Sequence, residues 1–427
     1  MLDLIRPLIP KKLFKAAQPW YHRALALFGA IWFGFPAKKL QVVAITGTKG
    51  KTSTAEMVNA ILEEAGKKTA LSGSLRFKIG DTSTLNPFGM SMPGRSYLQK
   101  FLKDAVRQRC DWAVVEMTSE GAKQFRHKHI DLDAFIFTNL APEHIESHGS
   151  FEQYLSDKKR IATLLSDSSK KRRVAIINGD DPYADEFTPK KVTEVVRYRL
   201  EEAKIYSSDQ TGTSFQFDGA TIFSPLRGEF NIRNMLAAAH FAKAFGIETP
   251  IIARAFSKLK TIRGRGEQVT LPENHPLRNK QQFEIVVDYA HTIESLEALY
   301  KTFQGHKKIC VLGNAGGGRD TWKRSGMAKV ADTYCDAIIL TTEDPYDENP
   351  REIIAEMEKG ISKHIPNIIL DRREAIHTAL KAAQPHDVVL LSGMGSQQYM
   401  SLAHGKKIPW DDAQVAREEL EKVLNEK

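Results

Sequence analysis

Gly47, Gly50, Lys51 and Thr52 could together hold a triphosphate. Glycines let backbone N–H groups turn toward an anion, a lysine can reach β- and γ-phosphates, and a threonine hydroxyl suits Mg²⁺. Thr48 and Lys49 lie inside the same turn and join the candidate ATP site. The spacing is GxxGKT, since Ile45 stands where the first glycine of the longer GxxxxGK[ST] loop would be. The competing reading is a glycine turn that binds nothing; a strand before it and a helix after it favour nucleotide binding. Three further polar residues draw attention. Glu116 ends the run WAVVE, His144 lies in TNLAPEHIESHG after AFIFTN, and Lys158 lies in SFEQYLSDKKRI at the expected start of a helix. A carboxylate and an imidazole at neighbouring strand ends beside a triphosphate could be Mg²⁺ ligands. Taken singly, each reads equally well as an ordinary solvated strand end.

Positioning these groups falls to short apolar strands alternating with helices. Val42–Ile45 is a strand of the kind buried in a parallel sheet, and Met57, Val58, Ile61 and Leu62 give the following helix an apolar face. Trp112–Val115, Ala134–Phe137 and Val174–Ile177 are further strands, residues 207–223 a small β region, and Asn231–Phe245 an alanine-rich helix. A second α/β pattern runs through strands at 284–287, 308–312, 337–340 and 388–391 and ends in an amphipathic helix over 413–424. The expected architecture is α/β. A basic-aromatic helical segment (1–40) precedes a central P-loop ATPase domain with a parallel sheet (41–262), and a Rossmann-like domain (263–427) follows.

A chain of 427 residues can bury an ample core. Its net charge of +9 suits an acidic substrate or an anionic surface. No nucleic-acid module is recognisable, so no nucleic-acid partner is expected. Cys110, Cys310 and Cys335 lack metal spacing and read as reduced thiols of a cytoplasmic protein. Near the N-terminus Arg6, Lys11, Lys12, Lys15, Arg23, Lys38 and Lys39 face one acid, Asp3, among Trp20, Tyr21, Phe28, Trp32, Phe33 and Phe35. The apolar run there is shorter than the ~20 residues that span a bilayer, and no cleavage site follows it. Two readings stand: a helical lead-in packed on the first domain, or an interfacial helix placing residues 1–36 on the inner membrane face. Aromatic residues at helical spacing more often join a core.

Taken in order, the motifs resemble those of the Mur ligases of peptidoglycan synthesis, the MurE type above all. They are GTKGKTST, EMTSEG (116–121), TNLAPEHIESHG (138–149), YLSDK (154–158), INGDDP (177–182), GEFNIRNMLAA (228–238), IRGRGE (262–267), VVDYAHT (286–292), GNAGGGRDTWKR (313–324), TTEDP (341–345) and IPWDDAQVAREEL (408–420). The resemblance implies a monomeric, ATP- and Mg²⁺-dependent amide ligase that adds an amino acid to a muropeptide precursor through an acyl phosphate. It makes Lys51, Glu116, His144 and Lys158 catalytic, with Lys158 carbamylated, and Thr52, Glu116, His144 and Lys158 metal ligands. It assigns Asn231, Asn234, Arg265, Asp288 and His291 to ATP, Thr118, Gln124 and Arg126 to the acceptor, and Arg324, Asp344, Gly393 and Gln397 to the amino acid.

Departures from the family pattern shape the expectation. Only about 40 residues precede the P-loop strand, so the N-terminal UDP-binding domain of MurE enzymes is expected to be missing or rebuilt, and the acceptor truncated or lipid-linked. Where diaminopimelate-adding members have Asp-Asn-Pro-Arg, this chain has Glu343-Asp344-Pro345-Tyr346. Tyrosine cannot replace a bidentate arginine, which weighs against diaminopimelate. The family's GKGHE loop reads Gly393-Met394-Gly395-Ser396-Gln397, and its Asp-His pair reads Glu143-His144. Two alternatives accompany the ligase reading: a MurT- or folylpolyglutamate synthase-like ligase on another carboxylate, and a non-catalytic nucleotide-binding partner in wall assembly.

Overall fold

Apolar residues at helical spacing carry the N-terminal segment into one long helix, α1 (Lys11–Phe33), with Pro19 inside it. The structure is a computed structural model that describes residues 11–426 apart from 95, 144, 205 and 319, with residues 11–17 as backbone only. His144 therefore lies outside the described residues. After α1 come β1 (Gln41–Thr46), α2 (Lys51–Glu64), β2 (Thr69–Ser72), β3 (Arg76–Ile79), β4 (Thr82–Leu85) and α3 (Tyr97–Arg107). They are followed by β5 (Trp112–Glu116), α4 (Ser119–Lys123), β6 (Ala134–Phe137), α5 (Ile145–His148), α6 (Phe151–Asp167), β7 (Val174–Asn178) and β8 (Glu194–Tyr198).

These strands form an eight-stranded sheet in the order β4-β3-β2-β5-β1-β6-β7-β8. Every pairing from β2 to β8 is parallel, and β3 and β4 add an antiparallel edge. Val42–Ile45, Ala113–Val115, Ala134–Phe137 and Val174–Ile177 are completely buried, as apolar strands covered on both faces must be. Ile45 pairs with Glu116 and Thr46 with Phe137, so β1, β5 and β6 end together. That shared carboxyl edge is where α/β sheets hold ligands. Lys158 falls in the middle of α6, not at a helix start. Ser150 caps that helix through a bond from the Gln153 amide, and a serine cap is a local signal the position of Lys158 does not carry.

Residues 206–224 form a three-stranded sheet, β9 (Tyr206–Asp209), β10 (Gly212–Phe217) and β11 (Ala220–Ser224). Then come α7 (Glu229–Ala244) and α8 (Thr249–Lys258). Arg254 and Lys258 of α8 both pair with Glu64 at the end of α2. Met57, Val58, Ile61 and Leu62 are buried as their spacing requires.

By its internal packing the chain divides into two units: Met1–Ile205 with Phe215–Ile222 and Ile232–Lys258, and Tyr206–Ser214 with Phe223–Asn231 and Leu259–Lys427. The second unit continues with β12 (Glu267–Gln268), β13 (Glu284–Asp288), α9 (Ile293–Thr302), β14 (Lys308–Leu312), α10 (Arg324–Tyr334) and β15 (Ala337–Leu340). Next are α11 (Pro350–Glu358), β16 (Asn367–Ile368), α12 (Arg372–Ala382), β17 (Val388–Ser392), the hairpin of β18 (Tyr399–Ser401) and β19 (Lys407–Pro409), and α13 (Asp412–Glu426). Its sheet has the order β12-β13-β17-β14-β15-β16, parallel except at β12. Ile285 and Val287 join a core with α12 and α13, while Val286 joins another with α9 and α10. This is the period-two alternation of a strand covered on both faces. The α/β expectation holds in both units.

The cysteine reading needs correction. Cys310 in β14 and Cys335 just after α10 form a disulfide. The crossover from β14 through α10 to the adjacent parallel strand β15 returns the chain beside its start, which a separation of 25 residues does not reveal. Cys110 is the free, buried cysteine.

Candidate active site

The loop between β1 and α2 is held by a dense set of hydrogen bonds. The Thr48 amide donates to the Asn139 carbonyl (2.8 Å) and the Lys49 amide to Asn139 Oδ1 (2.8 Å). Thr138 Oγ1 donates to the Lys49 carbonyl (2.7 Å), and Thr48 Oγ1 lies 2.9 Å from the Tyr154 hydroxyl. Gly50 has φ +81°, a left-handed conformation, and a Cβ there would meet Asn234 Oδ1 at 2.4 Å. Glycine is thus required twice over. No side chain caps the start of α2, and a helix N-terminus of this kind is a ready anion site.

Lysine side chains converge on the loop. Lys51 Nζ donates to the carbonyls of Gly47 and Thr48, both at 2.9 Å. Lys158 Nζ reaches the Gly47 carbonyl at 2.6 Å, and Lys49 Nζ pairs with Glu143 at 2.9 Å. Burial above all, then the charges of Lys51 and Lys49, holds the Lys158 ammonium well below the usual lysine pKa, against the opposing pull of Glu143. Three lysines thus lie around one loop, and Lys158 is the one whose ammonium burial disfavours most clearly.

Thr52 and Glu116 meet beside the loop, Oγ1 to Oε2 at 3.1 Å. Glu116 is buried and also accepts from the Ser74 amide (2.9 Å), Ser74 Oγ (2.9 Å) and Ser91 Oγ (3.3 Å). This is a hard-oxygen donor set. Among the described residues no group of three His, Cys, Asp or Glu gathers to cage a metal. Mg²⁺ does not need such a cage, since it is usually held by one or two carboxylates with phosphate oxygens and water. Thr52 and Glu116 fit that pattern. Lys158 as an amine does not; it becomes an oxygen donor only when carbamylated.

Past Glu116, Thr118 caps α4 by accepting from the Gly121 amide at 3.2 Å. Arg126 donates to the Met92 carbonyl and to Gln124 Oε1. Thr118, Gln124 and Arg126 thus share one corner with Met92, whose sulfur lies 3.1 Å from the Thr118 amide. Asn234 Oδ1 accepts from Thr54 Oγ1 of α2 (3.3 Å), while Asn231 Nδ2 donates to the Arg227 carbonyl (2.9 Å).

Within the second unit, three motifs distant in sequence come together. Asp288 at the end of β13 accepts from the Gly266 amide (2.6 Å), and the Tyr289 amide donates to the Gly264 carbonyl (3.0 Å). The Gly393 amide donates to the Asp288 carbonyl (3.1 Å). Gly264, at φ +63°, packs so tightly on the Gly395–Ser396 backbone that a Cβ would lie 2.2 Å from the Ser396 nitrogen. Arg265 stacks over the Tyr289 ring at 4.5 Å, and His291 Nδ1 lies 2.6 Å from the Tyr289 carbonyl. Arg324 is buried between Glu348 (2.7 Å) and Glu356 (2.9 Å), and Asp344 accepts from the Ser401 amide (2.6 Å). The Gln397 amide donates to the Met394 carbonyl (3.0 Å), closing the turn after β17.

Several neighbours lie inside or between the motifs without a role that the motifs assign. Tyr154, Asn139, Ser74 and Ser91 reach the loop or Glu116 only through tertiary packing. Buried Glu343 is another. A Cβ on Gly393 would lie 2.0 Å from Glu343 Oε2, which has no hydrogen-bond partner, and burial drives the Glu343 pKa up to about 7 against the pull of Arg372 and Lys323. Glu343 lies in TTEDP, but two adjacent acids do not distinguish an exposed pair from a buried one.

A P-loop whose strand lies inside a parallel sheet, with a carboxylate from the next strand meeting its threonine, defines a nucleotide-binding α/β protein. Known proteins narrow the class. The Mur ligase middle domain matches residues 45–242, and the Mur ligase, glutamate ligase domain matches residues 275–395. UDP-N-acetylmuramoyl-L-alanyl-D-glutamate--2,6-diaminopimelate ligase of Syntrophomonas wolfei subsp. wolfei is 35% identical over 410 residues, covering 92% of this chain and 81% of that protein. UDP-N-acetylmuramyl-tripeptide synthetase of Roseiflexus sp. (strain RS-1) is 34% identical over 426 residues, covering 93% and 82%. A solved UDP-N-acetylmuramoyl-L-alanyl-D-glutamate--2,6-diaminopimelate ligase superposes with a TM-score of 0.60 at 28% identity, over 90% of this chain and 78% of that one. Folylpolyglutamate synthase of Mycobacterium tuberculosis, solved with ADP and AMPPCP, shares the fold with a TM-score of 0.67 at 16% identity, over 87% and 92%. The chain belongs to the Mur ligase family.

Proposed function

We propose that this protein is a cytoplasmic ligase that uses ATP to join an amino acid to a carboxylate of a peptidoglycan precursor. The observation that carries the reading is the convergence of Lys51 and Lys158 on the Gly47–Thr48 backbone, with Lys49 paired to Glu143 beside it and Thr52 paired with Glu116 alongside. A triphosphate and a carboxylate repel each other, so a site that brings them in line must supply positive charge. The acceptor carboxylate attacks the γ-phosphorus and ADP leaves, giving an acyl phosphate. The amino acid's amine then attacks the acyl carbon, loses a proton, and inorganic phosphate departs.

Lys51 and the start of α2 stabilise the phosphates. Thr52 and Glu116 would hold Mg²⁺, which supplies charge neutralisation at the phosphates. Lys158, its pKa lowered by burial, loses its ammonium proton, adds to CO₂ through nitrogen, releases a second proton and becomes an anionic carbamate, with His144 as its companion ligand. By the family resemblance Asn231 and Asn234 serve the adenine, and Arg265, Asp288 and His291 the nucleotide. Thr118, Gln124 and Arg126 hold the acceptor. Arg324, Asp344, Gly393 and Gln397 hold the amino acid, with Tyr346 in place of the arginine that diaminopimelate would need. The relatives' names include diaminopimelate ligases; this chain's added amino acid is one without that distal carboxylate.

The test is a phosphate-release screen crossing an amino-acid panel with UDP-linked and lipid-linked muropeptides. Lys51→Ala abolishes release, and Lys158→Ala abolishes it but responds to short-chain carboxylic acids. Silence with every pair, or an unimpaired Lys158→Ala enzyme, would overturn the reading.

A further inference from the structure

Among the described residues, helix α1 buries one side and exposes a second, apolar side. On the inner side Gly29 lies so close to Ser96 that a Cβ would sit 2.1 Å from its hydroxyl, Ala30 is fully buried, and Ser96 Oγ donates to the Leu25 carbonyl at 3.5 Å. The Arg23 guanidinium lies 4.7 Å over the Phe125 ring. On the outer side Trp20 (72% exposed), Leu27 (44%), Phe28 (61%), Ile31 (60%) and Trp32 (72%) meet solvent. At ~100° per residue these fall within roughly 140° of one another, a continuous stripe. Phe28 and Trp32 stack on each other at 5.8 Å, and exposed Tyr21 flanks them.

The charge carried by the helix and the residues just after it has one sign. From Lys11 to Phe33 there is no aspartate or glutamate, while Lys11, Lys12, Lys15 and Arg23 lie in the helix. Lys38 and Lys39 follow, both exposed. Two copies apposed on this face would bring two basic, acid-free segments together. An anionic lipid surface answers both the apolar stripe and the charge. Among the described residues no helix is long and apolar enough to cross a membrane, so the helix would lie in the interface.

We propose that the outer face of α1 docks this protein on a bilayer bearing anionic lipid, with Trp20, Leu27, Phe28, Ile31 and Trp32 inserted at the headgroup boundary and Arg23, Lys38 and Lys39 on the lipid phosphates. Phe125, under Arg23, lies between Gln124 and Arg126, so docking holds that corner of the first unit close to the headgroups. The docking itself stands apart from the ligase reading.

Cosedimentation of the full chain with phosphatidylglycerol–phosphatidylcholine vesicles, against phosphatidylcholine alone, tests this. Binding is expected to the anionic vesicles, weakened by salt. A variant carrying Trp20→Ser, Phe28→Ser, Ile31→Ser and Trp32→Ser loses about tenfold or more of that binding, as does Lys38→Glu with Lys39→Glu to a smaller degree. Because every changed side chain is exposed, circular dichroism and phosphate release from ATP with soluble substrates stay unchanged. The wild-type tryptophan emission shifts to the blue on the anionic vesicles. No vesicle binding, or equal binding by the fourfold variant, overturns the proposal. So does a dimer in light scattering that the variant splits while vesicles leave it untouched. Loss of ligase turnover with intact vesicle binding would count against the ligase reading alone.

Discussion

Replacing Glu343 with glutamine should stabilise the second unit at alkaline pH and do little in acid. The carboxyl is buried beside Arg372, Asp344, Lys323 and Asp412, and desolvation raises its pKa from the ordinary 4.5 to about 7. A carboxyl whose folded pKa lies above its unfolded value favours the protonated folded state. Its contribution is complete below about 4.5 and is lost as pH rises through about 7. The difference of about 2.5 units, at 1.36 kcal/mol each, is about 3 kcal/mol. Glutamine has nearly the same shape and no proton to lose. The variant's advantage over wild type should therefore grow by about 2–3 kcal/mol between about pH 5 and pH 8. Urea unfolding at a series of pH values measures it. Trp410 is a local reporter, because its Nε1 donates to Asp412 Oδ1 at 2.8 Å within the same cluster. A wild-type-to-variant difference that does not change with pH, or that shrinks as pH rises, would refute the reasoning.

Other substitutions probe the remaining parts of both units. Gly50→Ala forces a side chain into φ +81° and onto Asn234; a loss of about 1–2 kcal/mol in stability is expected, together with weaker ATP binding by calorimetry. Glu116→Gln keeps the hydrogen bonds from Ser74 but removes the anionic oxygen, so the Mg²⁺ concentration for half-maximal phosphate release should rise on the order of tenfold. Arg372→Ala breaks a fully buried pair with Asp412 (2.8 and 2.6 Å). It leaves that carboxylate unpaired and should cost about 3–5 kcal/mol, read as a fall in melting temperature.

Local chemistry made much of this protein legible before any fold was known. The strands at 134–137, 308–312 and 337–340 are where their apolar runs place them, because a short run that must be buried on both faces has few alternatives. Gly50, Lys51 and Thr52 announce a phosphate loop, since a left-handed turn feeding a helix needs those residue types in that order. The ordered motifs then pointed to the family. What the chain alone left open depends on contacts across long separations. Lys158 lies 111 residues from the Gly47 carbonyl it bonds, and only the stacking of α6 on the sheet puts it beside Lys49 and Lys51, where burial lowers its pKa. Glu343 and Asp344 are both buried, but Asp344 accepts from the Ser401 amide while Glu343 lies under the Gly393 turn after β17. Cys310 meets Cys335 because a β–α–β crossover returns the chain on itself, and spacing alone suggested three separate thiols. The N-terminal helix was left between a packed lead-in and a lipid-facing surface, and tertiary structure gives it one packed side and one exposed apolar side. Composition settles whether a helix is apolar, but only its neighbours determine which of its sides is covered.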